Sequence, residues 1–251
     1  MISRASFTAL ALLACLAPAC SLTSGPPTTG GELGRTDWEI DDGLCGGGFL
    51  GNVCNLEVPI AAGAEPRMRV HPRRGTSLAG VRVRVGDAAP FTPSYSAPDG
   101  DTNEYIAFDA ESAGEGPLVI EILDATDAVV DRARLDVRTA TALECGRLRT
   151  GDSRTYELRD LVPGATSISR SAETADRRLA CRALDSGGDA LLSVRAIHWS
   201  VVEGDATVHD DQFTETAEGA TIEVRAASAG SAVVAARLGS VEQRIDVEIT
   251  P

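Results

Sequence analysis

The segment Asp99-Gly100-Asp101-Thr102-Asn103-Glu104 has the residue types that bind a calcium ion. It places hard oxygen ligands at alternate positions, Asp99, Asp101 and Asn103, as calcium-binding loops do. The later positions of that pattern are missing, since the sixth is not glycine and Ala110 stands where a bidentate glutamate belongs. We therefore interpret the segment as a solvated turn between strands, with calcium binding as the alternative.

Two further motifs match an enzyme pattern in letters but not in context. Residues 46–51 fit the dinucleotide fingerprint G-x-G-x-x-G, yet they lie between Cys45 and Cys54 instead of joining a strand to a helix. Ser77 lies in a sequence close to G-x-S-x-G, but an alternating strand follows it where a helix should be. Neither motif predicts a nucleotide site or a catalytic serine.

Histidine and aspartate side chains near the C-terminal end could bind a metal or act as a base. They are His198, His209, Asp210 and Asp211. Two histidines without a third ligand at a fixed spacing are a weak metal signal. We predict no catalytic residue, no metal site and no cofactor, and hence a protein that is not an enzyme.

The N-terminal residues are typical of an export signal. After Arg4, an uncharged apolar run extends to Pro18 and is too short to span a bilayer permanently. Cys15 and Cys20 each follow a sequence that resembles the lipobox of bacterial lipoproteins, in which the cysteine is acylated, for example with palmitate. We predict lipid attachment at Cys20, with Cys15 as the alternative site and cleavage after Ala19 without a lipid as a third possibility.

Four cysteines remain beyond the signal: Cys45, Cys54, Cys145 and Cys181. An even number in an exported chain predicts disulfides, and four cysteines allow three pairings. The short separation of Cys45 from Cys54 favours a local bridge, which leaves Cys145 with Cys181. Paired C-x-x-C or Cys/His spacing, which a zinc site needs, is absent.

The overall composition excludes several classes of protein. Of 251 residues, 43% are hydrophobic but only 4% aromatic, which permits a core built from aliphatic side chains and excludes disorder over the whole chain. The formal net charge is −14, and a net anion repels phosphate. Nucleic acid is therefore not an expected partner.

Most of the chain beyond residue 56 alternates apolar and polar residues in short segments, the pattern of half-buried antiparallel strands. One series has inward positions in the segments 81–85, 106–108, 118–122 and 135–137, and a second in the segments 179–183, 197–201, 222–224, 234–236 and 245–249. The series can be superimposed: Y-I-A-F-D-A at 105–110 matches T-I-E-V-R-A at 221–226, and R-L-D-V at 134–137 matches R-I-D-V at 244–247. This repeat predicts two copies of one architecture.

The second series resembles the bacterial immunoglobulin-like domains of intimin and invasin. The resemblance rests on R-A-L-D-S-G-G at 182–188, I-H-W-S-V at 197–201, G-D-A-T-V at 204–208 and A-G-S-A-V-V-A-A at 229–236. It implies that Trp199 packs between two sheets, that 229–236 forms the penultimate strand, and that no catalytic residues are present. The first series matches only in its last three strands and lacks the tryptophan.

Together these observations predict an all-β protein with two tandem Ig-like β-sandwiches. The expected segments are a lipoprotein signal peptide (1–19), a flexible tether (20–42), an N-terminal sandwich (43–138) and a C-terminal sandwich (142–251). The predicted function is that of a non-catalytic lipoprotein, anchored to a membrane of the bacterial envelope by its N-terminal lipid, that serves as a spacer or interaction scaffold. The alternative is an adhesin-like module, calcium-dependent or not, that binds an envelope protein or polysaccharide.

Overall fold

The computed structural model describes residues 29–40, 56–98, 103–148, 161–172, 177–193, 195–210 and 219–251. Within these ranges the regular elements are β-strands arranged in four sheets. The predicted all-β class is confirmed. In the same ranges, no helix is long and apolar enough to cross a membrane.

Residues 29–138 form two sheets, which we call the first sandwich. Its strands are β1 (Thr29–Gly30), β2 (Thr36–Ile40), β3 (Ile60–Ala61), β4 (Arg67–Pro72), β5 (Arg82–Val85), β6 (Ser94–Ser96), β7 (Tyr105–Asp109), β8 (Gly116–Leu123) and β9 (Val129–Arg138). One sheet has the order β1-β2-β4-β7-β6 and the other β3-β9-β8-β5. The ladders are antiparallel except that β3 runs parallel to β9.

Residues 142–250 form two more sheets, the second sandwich. Its strands are β10 (Ala142–Leu148), β11 (Leu161–Pro163), β12 (Thr166–Ser169), β13 (Arg178–Leu184), β14 (Ala190–Leu191), β15 (His198–Glu203), β16 (Ala206–Asp210), β17 (Gly219–Ala226), β18 (Gly230–Leu238) and β19 (Val241–Thr250). One sheet has the order β11-β10-β13-β17-β16, with β14 paired to β13, and the other β12-β19-β18-β15. Here β12 runs parallel to β19.

The two sandwiches repeat one topology. Strands β2-β4-β7-β6 correspond to β10-β13-β17-β16, and β3-β9-β8-β5 correspond to β12-β19-β18-β15. In both, the longer strands follow the ABED and CFG orders of immunoglobulin domains. The repeat seen in the sequence therefore lies on equivalent strands: 105–110 on β7 and 221–226 on β17, and 134–137 on β9 and 244–247 on β19.

Period-two alternation explains which side chains reach the core. In β9, Ala133, Leu135 and Val137 are buried while the residues between them are exposed. In β19, Ile245, Val247 and Ile249 repeat the pattern. Successive side chains of a strand point to opposite faces, so this spacing gives each sheet one apolar side.

The structure corrects the sequence analysis at two places. Thr36–Ile40, which the prediction assigned to the flexible tether 20–42, forms β2 in the first sandwich, with Trp38 and Ile40 fully buried. The region 142–177, which lies between the two alternating series and has no segment in either, contains β10, β11 and β12. The physical reason is that these strands are held by pairing with strands elsewhere in the chain, which alternation within a short window does not show.

A junction joins the sandwiches through both backbone and side chains. Ile60 and Leu192 form a parallel β-bridge, in which Ala61 N donates to Leu192 O at 2.7 Å and Leu192 N donates to Pro59 O at 2.9 Å. The side chains of Ile60 and Leu192 are both fully buried. We define the junction as these contacts together with the ion pair of Arg138 and Asp185, described below.

Candidate functional site

Several of the residues predicted to carry chemistry lie outside the described part of the chain. These are Cys15, Cys20, Cys45, Cys54, Asp99, Asp101 and Asp211, together with the glycine-rich motif at 46–51. Asn103 is described, and it is exposed just before β7. Lipid attachment, the Cys45–Cys54 bridge and the calcium alternative therefore remain predictions.

Cys145 and Cys181 form a disulfide, as the sequence predicted. They lie directly opposite each other on the antiparallel strands β10 and β13, with their Cα atoms 4.1 Å apart. Both cysteines are buried. The bridge therefore fixes the first strand of the second sandwich to its neighbour within one sheet.

The histidines are not brought together. His198 on β15 and His209 on β16 belong to different sheets, and both are exposed. His209 Nε2 lies 3.0 Å from Thr207 Oγ1. In the described ranges, no three His, Cys, Asp or Glu side chains are grouped so that they could hold a metal ion. Asp210 closes β16, and Asp211 lies outside the described residues.

Ser77 does not have the surroundings of a nucleophile. Its hydroxyl donates to Glu104 Oε1 at 3.2 Å, and the same oxygen accepts a hydrogen bond from Leu78 N at 2.6 Å. Glu104 therefore closes the turn before β5, which is a structural role.

Asp131 forms a carboxylate clamp that the sequence analysis did not identify. The carboxylate is fully buried at the start of β9 and accepts hydrogen bonds from the backbone N–H groups of Leu33, Arg35, Thr36 and Arg132, each at 2.8 Å. Thr36 Oγ1 donates a fifth bond at 2.8 Å. These donors come mainly from the turn between β1 and β2, so the clamp ties one sheet of the first sandwich to the other.

The electrostatics of the clamp favour an ionised Asp131. Burial by itself raises the pKa of this carboxyl, but the hydrogen bonds donated by Leu33, Arg132 and Thr36 outweigh burial and hold the pKa below its ordinary value. A sequence signal was present: Asp131 occupies the inward-facing position of the series that continues with Ala133 and Leu135. A charged residue at a core position predicts a buried polar partner set.

Asp185 organises the side-chain part of the junction. It follows β13 and accepts hydrogen bonds from Gly187 N at 2.8 Å and Asp189 N at 3.0 Å. Arg138 Nη1 of the first sandwich donates a third hydrogen bond to it at 2.7 Å. The hydrogen bond from Arg138 is the main reason that the pKa of Asp185 is lowered. The segment R-A-L-D-S-G-G at 182–188, one of those that carry the resemblance, therefore contains the end of β13, and its Asp185 also contacts the first sandwich.

Glu223 on β17 is the centre of an arginine cluster. It is only 4% exposed although its neighbours Ile222 and Val224 are the residues of this strand that face the core. Arg225 Nη2 donates to its Oε2 at 2.5 Å, and Arg177 Nη2 lies 2.8 Å from its Oε1. The hydrogen bond from Arg225 lowers the pKa of Glu223 and keeps it ionised. The sequence did not predict this cluster, because Arg177, the residue before β13, is 46 positions away from Glu223 in the chain.

Trp199 lies on β15 and packs against the core, as the resemblance implied, but it is only partly buried. The fully buried tryptophan is Trp38 on β2, which meets Phe108 edge-on with ring centroids 6.4 Å apart. The first sandwich therefore has its own core tryptophan at a different position in the topology.

Comparison with known proteins adds little to this description. No family model matches the chain, and no curated protein matches it either. Among solved structures, domains 4 and 5 of the S-layer protein SbsC are 12% identical to the chain. That alignment covers 57% of this chain and 69% of the other, with a TM-score of 0.31.

Two other solved structures are similar at the same level. InvD of Yersinia pseudotuberculosis is 13% identical, with 78% of this chain and 56% of that one covered and a TM-score of 0.31. SGBP-B of the Bacteroides ovatus mixed-linkage glucan utilization locus, solved with a mixed-linkage heptasaccharide, is 14% identical, with 76% and 43% covered and a TM-score of 0.30. All of these scores are below 0.5, so the Ig-like assignment rests on the strand order of the chain itself.

Proposed function

We propose that this protein is a non-catalytic lipoprotein of the bacterial cell envelope that acts as a spacer or interaction scaffold. The junction is the observation that carries the proposal. It fixes the end of β9 and the start of β3 to the loops after β13 and β14 by two backbone hydrogen bonds and the ion pair of Arg138 with Asp185. Nearby, Arg195 Nη1 of the second sandwich lies 3.4 Å from Asp109 Oδ1 of the first. A connection of this kind supports a fixed end-to-end arrangement, whereas a flexible linker would leave the sandwiches independent.

Anchoring at the membrane is the second part of the proposal. It is supported by the apolar run before Pro18 and by the lipobox-like sequences at Cys15 and Cys20. Ser21 and the Gly- and Pro-rich residues that follow would then form a short tether before β1. The partner in the envelope would be a protein or a polysaccharide.

The absence of catalysis is also part of the proposal. Asp131, Asp185 and Glu223 are the carboxylates with the most developed surroundings, and each is held by backbone N–H groups or arginine. A general base must instead reach a substrate proton. These carboxylates stabilise the fold.

A second candidate is an adhesin-like module that binds carbohydrate or protein. The arginine cluster around Glu223 favours it, because guanidinium groups at a surface recognise anionic groups well. If the loop of Asp99, Asp101 and Asn103 bound calcium, such binding would depend on calcium.

The anchor is tested by mass spectrometry of the protein isolated from the membranes of a bacterial host. The expected result is a mature N-terminal cysteine that carries acyl chains, and Cys20→Ser or Cys15→Ser should abolish the modification and identify the site. An unmodified mature N-terminus would overturn this part of the proposal.

The spacer is tested by a distance measurement between the two sandwiches. Ser94→Cys in β6 and Ser240→Cys in the β18–β19 turn are exposed positions for nitroxide labels, one in each sandwich. A single narrow distance distribution by pulsed electron paramagnetic resonance is expected. Two labels at exposed positions of the same sandwich, Ser240→Cys and Ser228→Cys, are the control for label mobility. A distribution much broader than this control would contradict a rigid spacer.

A further inference from the structure

A cleft of about 220 Å³ opens at one end of the second sandwich. Its floor is apolar: Ile168 on β12 and Ile249 on β19 are register partners, and Val224 comes from β17 of the opposite sheet. All three floor residues are buried. The cleft therefore lies where the two sheets separate.

In the described part of the chain, three arginines line the rim of the cleft: Arg170, Arg177 and Arg225. Glu223 pairs with two of them, Arg177 and Arg225. Arg170 follows β12 directly, is exposed, and forms no ion pair with any other described residue. Among the described residues that line the cleft, three are therefore arginines and none is a carboxylate, on a chain with a net charge of −14.

This charge pattern is the reverse of that of the whole chain, so it is a local feature that attracts anions. A guanidinium group is planar and can donate two parallel hydrogen bonds to the oxygens of a carboxylate or a phosphate. The apolar floor can contact the non-polar face of the ring that carries that anionic group. The volume is below the range of about 300 to 1,000 Å³ that is usual for drug-sized ligands. It fits one unit of a polymer better than a whole cofactor.

We propose that this cleft binds an anionic sugar unit, which carries either a carboxylate or a phosphate, through Arg170, Arg177 and Arg225. Glu223 positions Arg177 and Arg225 and leaves Arg170 for the ligand. The site goes beyond the spacer function, because it gives the molecule a specific point of attachment to an acidic polymer.

The position of the cleft agrees with that role. Arg177 precedes β13 and Asp185 of the junction follows it, so the cleft and the junction lie at opposite ends of this seven-residue strand. At about 3.3 Å per residue, that separation is roughly 20 Å. The cleft therefore faces away from the first sandwich.

The test is calorimetric titration of the full-length protein at low ionic strength with three probes. D-glucuronate supplies a carboxylate, D-glucose 6-phosphate supplies a phosphate, and D-glucose is the neutral reference. Saturable one-to-one binding of at least one anionic sugar is expected, with no binding of glucose, and the tighter anion identifies which group the site takes. Raising the salt concentration to 0.5 M should weaken the binding because the charges at the rim are partly exposed.

Arg170→Gln should lower the affinity for the tighter anion about tenfold or more, since it removes a charge-assisted contact without touching the core. Arg74→Gln, an exposed arginine of the first sandwich, is the matched control and should leave the affinity unchanged. Circular dichroism confirms that both variants are folded. Failure of both anions to bind, equal binding of glucose, or an unchanged affinity in Arg170→Gln would overturn the proposal. The acylation and distance measurements do not depend on the cleft, so these outcomes would not contradict the proposed spacer function.

Discussion

Asp131 is a charged residue that the fold buries completely and then surrounds with donors. An isolated carboxylate in such a place would cost several kcal/mol, and hydrogen bonds to the ionised form are what offset that cost. The turn between β1 and β2 supplies most of those bonds, so the clamp and the N-terminal strands stabilise each other. The clamp therefore connects the N-terminal strands of the first sandwich to β9.

We expect Asp131→Asn to lower the free energy of unfolding by about 2 to 4 kcal/mol, because an amide presents hydrogens to donors that now bond a carboxylate. The measurement is denaturant unfolding at pH 7. Asp87→Asn is the control, since Asp87 is exposed in the turn after β5, and it should change the stability by less than about 0.5 kcal/mol. Equal effects of the two substitutions would contradict the role of the clamp.

The contribution of Asp131 to the free energy of unfolding should also depend on pH. The pKa of Asp131 is lowered in the folded state, so its contribution is fully present above the unfolded value of about 3.9 and is lost as the pH falls through the folded value. The stability difference between the wild type and Asp131→Asn should be constant above about pH 5 and shrink below about pH 4. A difference that grows in acid would show that the sign is wrong.

The two tryptophans should contribute unequally. Trp38 is fully buried, and Trp38→Ala should cost about 3 to 5 kcal/mol in the first sandwich. Trp199 is only partly buried, so Trp199→Ala should cost less, about 1 to 3 kcal/mol in the second. Denaturant unfolding followed by circular dichroism measures both. A larger loss for Trp199 would contradict the burial order.

At the scale of elements, the disulfide connects neighbouring strands of one sheet. In antibody domains the comparable bridge joins the two sheets. Here Cys145–Cys181 instead fixes β10, the strand that enters the second sandwich, to β13. The two strands that follow β10 in the chain, β11 and β12, have only three and four residues. The bridge therefore gives β10 a covalent connection to the sheet in addition to its backbone hydrogen bonds.

Replacing both cysteines by alanine should lower the free energy of unfolding of the second sandwich by about 4 kcal/mol. The bridge spans a sequence separation of 36, and a loop of that size loses about this much chain entropy when it is closed. Chemical denaturation without reductant is the measurement. The double variant Cys45→Ala and Cys54→Ala is the control. In that variant the denaturant midpoint of the second sandwich should be unchanged.

The long strands were predictable, and the short ones were not. Strands β8, β9, β18 and β19 have eight to ten residues, enough for alternation to define a face. Strand β2 reads T-D-W-E-I after a Gly- and Pro-rich stretch, and its five residues are too few for alternation alone to identify a strand. Glu39 is buried there beside Arg69 and His71 of β4, some thirty residues later, and such a partner cannot be read from a local pattern.

The side-chain contacts also differ in how far the sequence alone could predict them. The pairing of Cys145 with Cys181 could be deduced because cysteine has few alternatives and only four cysteines remained. The pairing of Glu223 with Arg177 could not be deduced, since the chain has 23 arginines and it is the pairing of β13 with β17 that brings Arg177, the residue before β13, to Glu223. Asp131 lies between these cases, because its inward position was visible in the alternation although its donors were not.

At the scale of the whole molecule, the junction should couple the stability of the two sandwiches. The fragment 142–251 should fold with its own cooperative transition, because its sheets share only the single Ile60–Leu192 bridge with the other sheets in the described ranges. It should be about 1 to 3 kcal/mol less stable than the same region in the full chain, since two backbone hydrogen bonds and the ion pairs of Asp185 with Arg138 and of Arg195 with Asp109 are lost. Denaturant unfolding of the fragment and the full chain compares the two. A fragment without a cooperative transition would indicate one continuous domain.

The parallel pairings of β3 with β9 and of β12 with β19 determine how the molecule carries mechanical load. In each sandwich a strand from the early part of the chain lies alongside the last strand in the same direction. When the two ends are pulled apart, such a pair slides along its length, so its hydrogen bonds are loaded together in shear. A hairpin pulled open at its ends would instead lose its bonds one after another. The Asp131 clamp adds a connection from the turn between β1 and β2 to β9. The molecule should therefore resist a force that pulls its two chain ends apart more strongly than a protein in which the same force opens hairpins.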